Sequence, residues 1–186
     1  MRIISGKYKS RRFQLPKNFR ARPTTDMARE SLFNILNNLV DWENTQALDL
    51  FSGTGSIAIE LVSRGCPRVI SVESNAKNHA FIQSVKAQLD AKEILTIKSD
   101  AFAFMKSYNQ SFDLIFADPP YDLKDLELIP NKVFEHDLLN DGGIFILEHS
   151  KNNTFIHHPL FKEMRKYGGV HFSFFEKREE KDSTTE

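Results

Sequence analysis

Cysteine is nearly absent from this chain: Cys66 is the single one in 186 residues. It rules out an internal disulfide and fits a reducing compartment. Long hydrophobic runs are missing too, and none approaches the ~20 consecutive apolar residues that span a bilayer. The amino end, Met1 to Arg12, is basic and lacks an apolar stretch, so it does not read as a signal peptide. The expectation is a cytoplasmic protein with no membrane partner. The six histidines, at 79, 136, 149, 157, 158 and 171, form no i,i+4 ligand pair on a helical stretch. With no cysteines to accompany it, His157-His158 reads as loop surface, and no metal site is expected. The turn at 52–56 lacks the lysine of a phosphate-binding P-loop, which argues against nucleotide hydrolysis. Cys66-Pro67 is placed to end a crossover helix rather than to act as a nucleophile. There are no internal repeats. A chain of this length accommodates one domain with a sizeable core, expected as a monomer.

Net charge is also absent, with 25 basic and 25 acidic residues, but its distribution is uneven. Residues 1–29 hold nine Lys or Arg against Asp26 alone, and the rest of the chain carries the balancing negative charge. In the basic stretch Tyr8, Phe13 and Phe19 interleave with Lys7, Lys9, Arg11, Arg12, Lys17, Arg20 and Arg22. Aromatic rings can stack on bases while cations neutralise phosphates, so this stretch is expected to dock RNA. The plainer reading is a solvated arm or small hairpin. The division expected is therefore a basic arm or hairpin at 1–23, one catalytic domain at 24–177, and a charged, disordered tail at 178–186.

Between the ends, apolar runs alternate with helical periodicity. Strands are expected near 46–51, 68–73, 94–98, 112–117 and 143–148. Helices are expected near 25–40, 55–64, 76–90, 101–107 and 125–137, with Pro130 kinking or splitting the last. The first helix should bury Ala28, Leu32, Ile35, Leu36 and Leu39 and begin at a Thr24 or Thr25 cap. Such alternation implies a mostly parallel sheet with helices on both faces. Gly168-Gly169, between Glu163–Tyr167 and Val170–Glu176, adds an antiparallel edge hairpin.

Two loops at strand ends carry the chemistry. Asp118-Pro119-Pro120-Tyr121 follows the strand at 112–117, where two prolines cannot continue a ladder and stiffen the backbone. The loop offers a carboxylate, carbonyls and a ring, which suits a planar group bearing an amino nitrogen. A structural turn with a surface tyrosine is the competing reading. Upstream, Asp49-Leu50-Phe51-Ser52-Gly53-Thr54-Gly55 joins a strand to a helix, and its glycines permit positive φ and close ligand approach. Gly53-x-Gly55-x-x-Ala58 formally matches a dinucleotide fingerprint. Asp49 argues against a pyrophosphate there and for a cationic ligand such as S-adenosylmethionine. Glu73, eighteen residues beyond Gly55, ends the next strand and suits ribose hydroxyls. Asp100 follows the third strand and could meet an adenine amino group. Phe51, Ser74 and Ala101, beside these positions, complete the expected cofactor-binding set.

These two loops, with Glu73 and Asp100, resemble a Rossmann-like class I methyltransferase that uses S-adenosylmethionine. The chain is more narrowly similar to the RsmD family. That match rests on Arg2-Ile3-Ile4-Ser5-Gly6-Lys7-Tyr8-Lys9-Ser10-Arg11-Arg12, Arg22-Pro23-Thr24-Thr25-Asp26, Glu30-Ser31-Leu32-Phe33-Asn34-Ile35-Leu36 and Glu148-His149-Ser150. Ser10 and Ser52 stand where the family usually has glycine and often alanine; both are small. The resemblance implies methylation of the exocyclic N2 of a guanine in small-subunit (16S) ribosomal RNA, free or in a partly assembled subunit. Asp118 and Pro119 would then hold the amine and Tyr121 would stack on the base. Adenine-N6 DNA methylation and protein glutamine-amide methylation use a similar loop and remain alternatives. So does a non-catalytic RNA-binding module, although that would have no need of the glycine turn.

Overall fold

The computed structural model describes residues 1–15 and 26–177. Thr24, Thr25, Lys17, Phe19, Arg20, Arg22 and the tail at 178–186 lie outside them. Among the described residues the α-helices and strands are, in chain order, α1 (Asp26–Leu36), β1 (Gln46–Leu50), α2 (Ser56–Arg64), β2 (Arg68–Glu73), α3 (Ala76–Leu89), β3 (Ile94–Lys98), α4 (Ala101–Ser107), β4 (Phe112–Ala117), α5 (Ile129–Glu135), β5 (Leu139–His149), β6 (Phe161–Tyr167) and β7 (Val170–Glu176). The strands form one seven-stranded sheet in the order β3-β2-β1-β4-β5-β7-β6. β1 to β5 run parallel, and β7 lies antiparallel between β5 and β6.

The central strands read as unbroken apolar runs because both faces are covered. Ala47, Val69, Leu114, Phe116 and Ile146 pack with α1, α2 and α3. Their neighbours Leu48, Leu50, Ile70, Ile115 and Leu147 face the other way, against α4 and α5. Strand order reverses between β1 and β4, and such a switch point leaves a crevice at the strands' carboxyl ends.

Two boundaries need adjustment, and the expected split of the 125–137 helix is present. α1 stops at Leu36, not residue 40, and Leu39 is 47% exposed instead of lining the core. Asn37 and Asn38 follow Leu36, and asparagine side chains compete with helical backbone bonds. The 125–137 region is a short 3-10 turn, Leu126–Leu128, followed by α5 with Pro130 in its first turn. Proline is tolerated there because the first helical N–H groups have no intrahelical partner. β5 begins at Leu139 rather than 143, with a register shift against Phe112 and Leu114 and a left-handed Gly142.

The amino end is a folded hairpin. Ile3 donates its N–H to Arg11, Ser10 donates back to Ile3, and Arg2 bridges Arg12. Ile3 and Phe13 belong to the same buried cluster as α1 and α2. Glu60 of α2, 1% exposed, accepts the N–H groups of Ile4 at 2.7 Å and Ser5 at 2.9 Å, and the Arg64 guanidinium at 2.9 Å. Ser63 accepts the Tyr8 N–H through its hydroxyl and the Lys7 N–H through its carbonyl. Gly6 crosses α2 so closely that a Cβ there would lie 1.7 Å from the Ser63 carbonyl oxygen. No larger residue fits at this crossing.

Candidate active site

The carboxyl end of β1 turns sharply. Phe51 adopts φ 59°, a left-handed conformation unusual for a bulky residue, and Gly53 and Gly55 follow at 56° and 71°. Such strain in a non-glycine residue concentrates at functional loops. A Cβ at Gly55 would press on Ile82 of α3 at 3.0 Å, so this glycine answers both to backbone angle and to close packing. At Gly53 a Cβ would meet only the Phe51 carbonyl oxygen, at an ordinary 3.9 Å, so its φ is what calls for glycine.

Two carboxylates hold this turn from beneath. Asp49, 1% exposed on β1, accepts the Ala58 N–H in the first turn of α2 at 3.1 Å. Burial pushes its carboxyl up from 3.8 to about 7, against the lowering effect of Ser52 and the Ala58 N–H; nearby Glu73 adds to the rise. Desolvation favours the uncharged acid. Glu73, at the end of β2, accepts the Gly53 N–H with one oxygen and the Asn75 N–H with the other, both at 2.7 Å. Those bonds leave further lone pairs on each oxygen. Ser71 donates to Ser52, whose hydroxyl in turn donates to the Asp49 carbonyl.

Of the other sequence-derived positions, Ser74 is exposed and Ala101 is buried. Phe102, which follows Ala101, meets the Phe51 ring edge-on at 6.4 Å. Asp100 caps α4 by accepting the Ala103 N–H at 3.0 Å, a local duty that spacing alone did not reveal.

The Asp118-Pro119-Pro120-Tyr121 loop stands beside the glycine turn. Asp118 donates its N–H to the carbonyl of Leu50, the last residue of β1, at 3.3 Å. Pro119 is buried and Pro120 exposed. Tyr121 is 42% exposed, and its hydroxyl donates to Glu148 at 3.1 Å. Glu148, 3% exposed near the end of β5, entered the sequence reading only as part of a resembling motif. The tie between the two spans 27 residues, and no local pattern announces it.

The basic residues of the hairpin divide. Lys7 pairs with Glu93, and Arg11 lies over the Phe13 ring at 6.0 Å with a long contact to the Gln88 carbonyl. Lys9 and Arg12 are exposed. Among the described residues no group of His, Cys, Asp and Glu is arranged to hold a metal, and no helix is long and apolar enough to cross a membrane.

A doubly covered sheet of this strand order, with a glycine turn after β1 and acidic strand ends around the switch point, defines a Rossmann-like methyltransferase fold. A putative methyltransferase of Escherichia coli, yhhF, superposes with a TM-score of 0.84 at 26% identity, covering 96% of this chain and 98% of that one. The chain belongs to the RsmD family, whose family model, described as conserved hypothetical protein 95, matches residues 1–176. It is 31% identical over 179 residues to ribosomal RNA small subunit methyltransferase D of Buchnera aphidicola (Baizongia pistaciae), covering 94% of this chain and 91% of that protein. It is 30% identical to the Escherichia coli protein of the same name, with 82% and 76% covered. The putative rRNA methyltransferase YlbH of Bacillus subtilis is 33% identical, with 81% and 83% covered.

Proposed function

We propose that this protein methylates the exocyclic N2 amine of a guanine in small-subunit ribosomal RNA, with S-adenosylmethionine as donor. The observation that carries this reading is the seating of the Asp118-Pro119-Pro120-Tyr121 loop directly against the end of β1, through the Asp118 N–H and the Leu50 carbonyl. That contact supports the reading, because it keeps the loop, whose acceptors would take the amine, next to the strained glycine turn. The named relatives supply the class of RNA.

The donor set suits a cation-bearing nucleoside. Asp49 and Glu73 lie beneath the turn, and among the described residues no basic side chain bonds to either. Glu73 would hold the ribose and Asp100 the adenine amine, with Phe51 and Ala101 beside the nucleoside. Bound S-adenosylmethionine would supply an electrophilic methyl group on a sulfonium centre. The guanine amine is a weak nucleophile because its lone pair is delocalised into the ring. The Asp118 carboxylate and Pro119 carbonyl would accept its N–H bonds and favour a pyramidal nitrogen whose lone pair faces the methyl. Tyr121 would stack on the base. Asp118 or water would take the proton that the nitrogen loses on gaining a methyl group. The leaving group is neutral, so the residues act by positioning and electrostatics. The base must leave its stack to enter the loop, at about a few kcal/mol in a duplex and less in a single strand.

The test is methyl transfer to small-subunit RNA and to small-subunit particles, followed by nucleoside mass spectrometry. N2-methylguanosine should appear, and Asp118→Ala should abolish it while leaving S-adenosylhomocysteine affinity near wild type. N6-methyladenosine as the product, or wild-type turnover by Asp118→Ala, would overturn the reading.

A further inference from the structure

Glu148 has no part in the chemistry above, yet a carboxylate that is 3% exposed at the end of a core strand is an unusual choice. Burying such a group is unfavourable unless hydrogen bonds satisfy it. Its position is suggestive. Leu147 pairs with Ala117, so Glu148 stands one residue beyond that pair, on the strand adjacent to the start of the Asp118 loop. Adjacent strands lie about 4.8 Å apart. On its other side Glu148 pairs with Phe172 of β7, which anchors its backbone in the sheet. Tyr121 is placed very differently: it lies in a turn, 42% exposed, and its hydroxyl reaches the rigid strand at Glu148 Oε1, 3.1 Å away. A bond from a phenol to a carboxylate is charge-assisted and stronger than a neutral one.

We propose that Glu148 is a positioning residue. It fixes the ring of Tyr121 in one orientation, so that the stacking surface for the target base exists before the RNA arrives. This rests on the stacking role assigned to Tyr121 above. A tyrosine ring held by fewer bonds samples more of its rotamers, and each encounter with a flipped base then has more ordering to do. Misplacement of a positioning group by about 1 Å can reduce rate up to about a hundredfold.

Glu148→Ala should lower kcat/KM for small-subunit RNA roughly 10- to 100-fold while S-adenosylhomocysteine affinity stays unchanged. Glu148→Gln, whose amide oxygen can still accept the hydroxyl, should recover to within about fivefold of wild type. Tyr121→Phe keeps the ring and loses the bond to Glu148, so it too should lose activity. The double variant should fall by less than the product of the two single losses, because the two side chains share one bond. Loss that multiplies in the double variant would overturn the proposal. So would full activity in Tyr121→Phe, a change at an exposed side chain that leaves the core intact and decides the matter even where Glu148→Ala does not fold. A second readout needs no RNA. The chain has four tyrosines, so ring-labelled NMR can resolve Tyr121, which should be ordered in wild type and Glu148→Gln and mobile in Glu148→Ala. A Tyr121 ring equally ordered in all three overturns the proposal. Failure of the wild-type protein to methylate RNA would instead sink the functional reading and leave the ring measurement standing.

Discussion

Asp49→Asn should stabilise this protein, and by an amount that depends on pH. In the folded chain burial raises the Asp49 carboxyl from 3.8 to about 7. The folded state therefore holds the proton more tightly than the unfolded state does. Stability from this group is complete below pH 3.8 and is lost as pH rises through about 7. At about 1.4 kcal/mol per pH unit, the ionised side chain costs about 4 kcal/mol in neutral solution. Asparagine retains an oxygen for the Ala58 N–H, 3.1 Å away, and never ionises. Its advantage over wild type should be small near pH 4, grow by about 1.4 kcal/mol per unit, and level off above pH 7. Urea unfolding at pH 5 and pH 8 would measure it, and the advantage should be about 3 kcal/mol larger at pH 8. For a domain of this size that corresponds to roughly 6–12 °C in Tm. Other ionisable groups cancel in the comparison of the two proteins. An advantage identical at both pH values would mean Asp49 is already ionised at pH 5, and that burial does not govern it. The gain should oppose function, since under the proposed reading the charge of Asp49 favours a cationic ligand.

Glu73→Ala should weaken S-adenosylhomocysteine binding by about 1.5–3 kcal/mol in titration calorimetry, the range for charged hydrogen bonds. It should also lower Tm, because the same carboxylate ties Gly53 to Asn75. Gly6→Ala should lift the hairpin from α2, since its Cβ would meet the Ser63 carbonyl at 1.7 Å. Exposing Ile3 and Phe13 should then remove about 3–5 kcal/mol of stability, and limited proteolysis should cut the first 15 residues faster. Replacing Lys9, Arg11 and Arg12 with alanine should reduce RNA affinity and flatten its salt dependence while Tm holds. Equal salt slopes for wild type and variant would rule out docking by these residues. Point substitutions are the cleaner test, because deleting residues 1–22 would also strip Ile3 and Phe13 from the core.

The sheet and both loops were legible in the sequence because their signals are local. A strand covered on both faces announces itself as an apolar run, as at Phe112–Ala117. A glycine turn or a proline pair marks its own position through the backbone angles it allows. Asp49 and Glu73 stood out for the same reason, as acids at the ends of apolar strands. Tertiary structure alone decided which distant groups meet. Nothing local marks Glu60 on α2, and only the fold brings the Ile4 and Ser5 amides to it across 56 and 55 residues. The basic stretch read as an arm or small hairpin, and only the fold shows Ile3 and Phe13 to be core residues, because Gly6 lets the backbone pass tightly against α2. Leu39 had helical spacing but lies beyond the end of α1 and faces solvent. Tyr121 finds Glu148 only because β4 and β5 lie side by side. Periodicity and turn chemistry are written within a few neighbouring residues, whereas pairing across the sheet depends on strand order, which no short window of sequence contains.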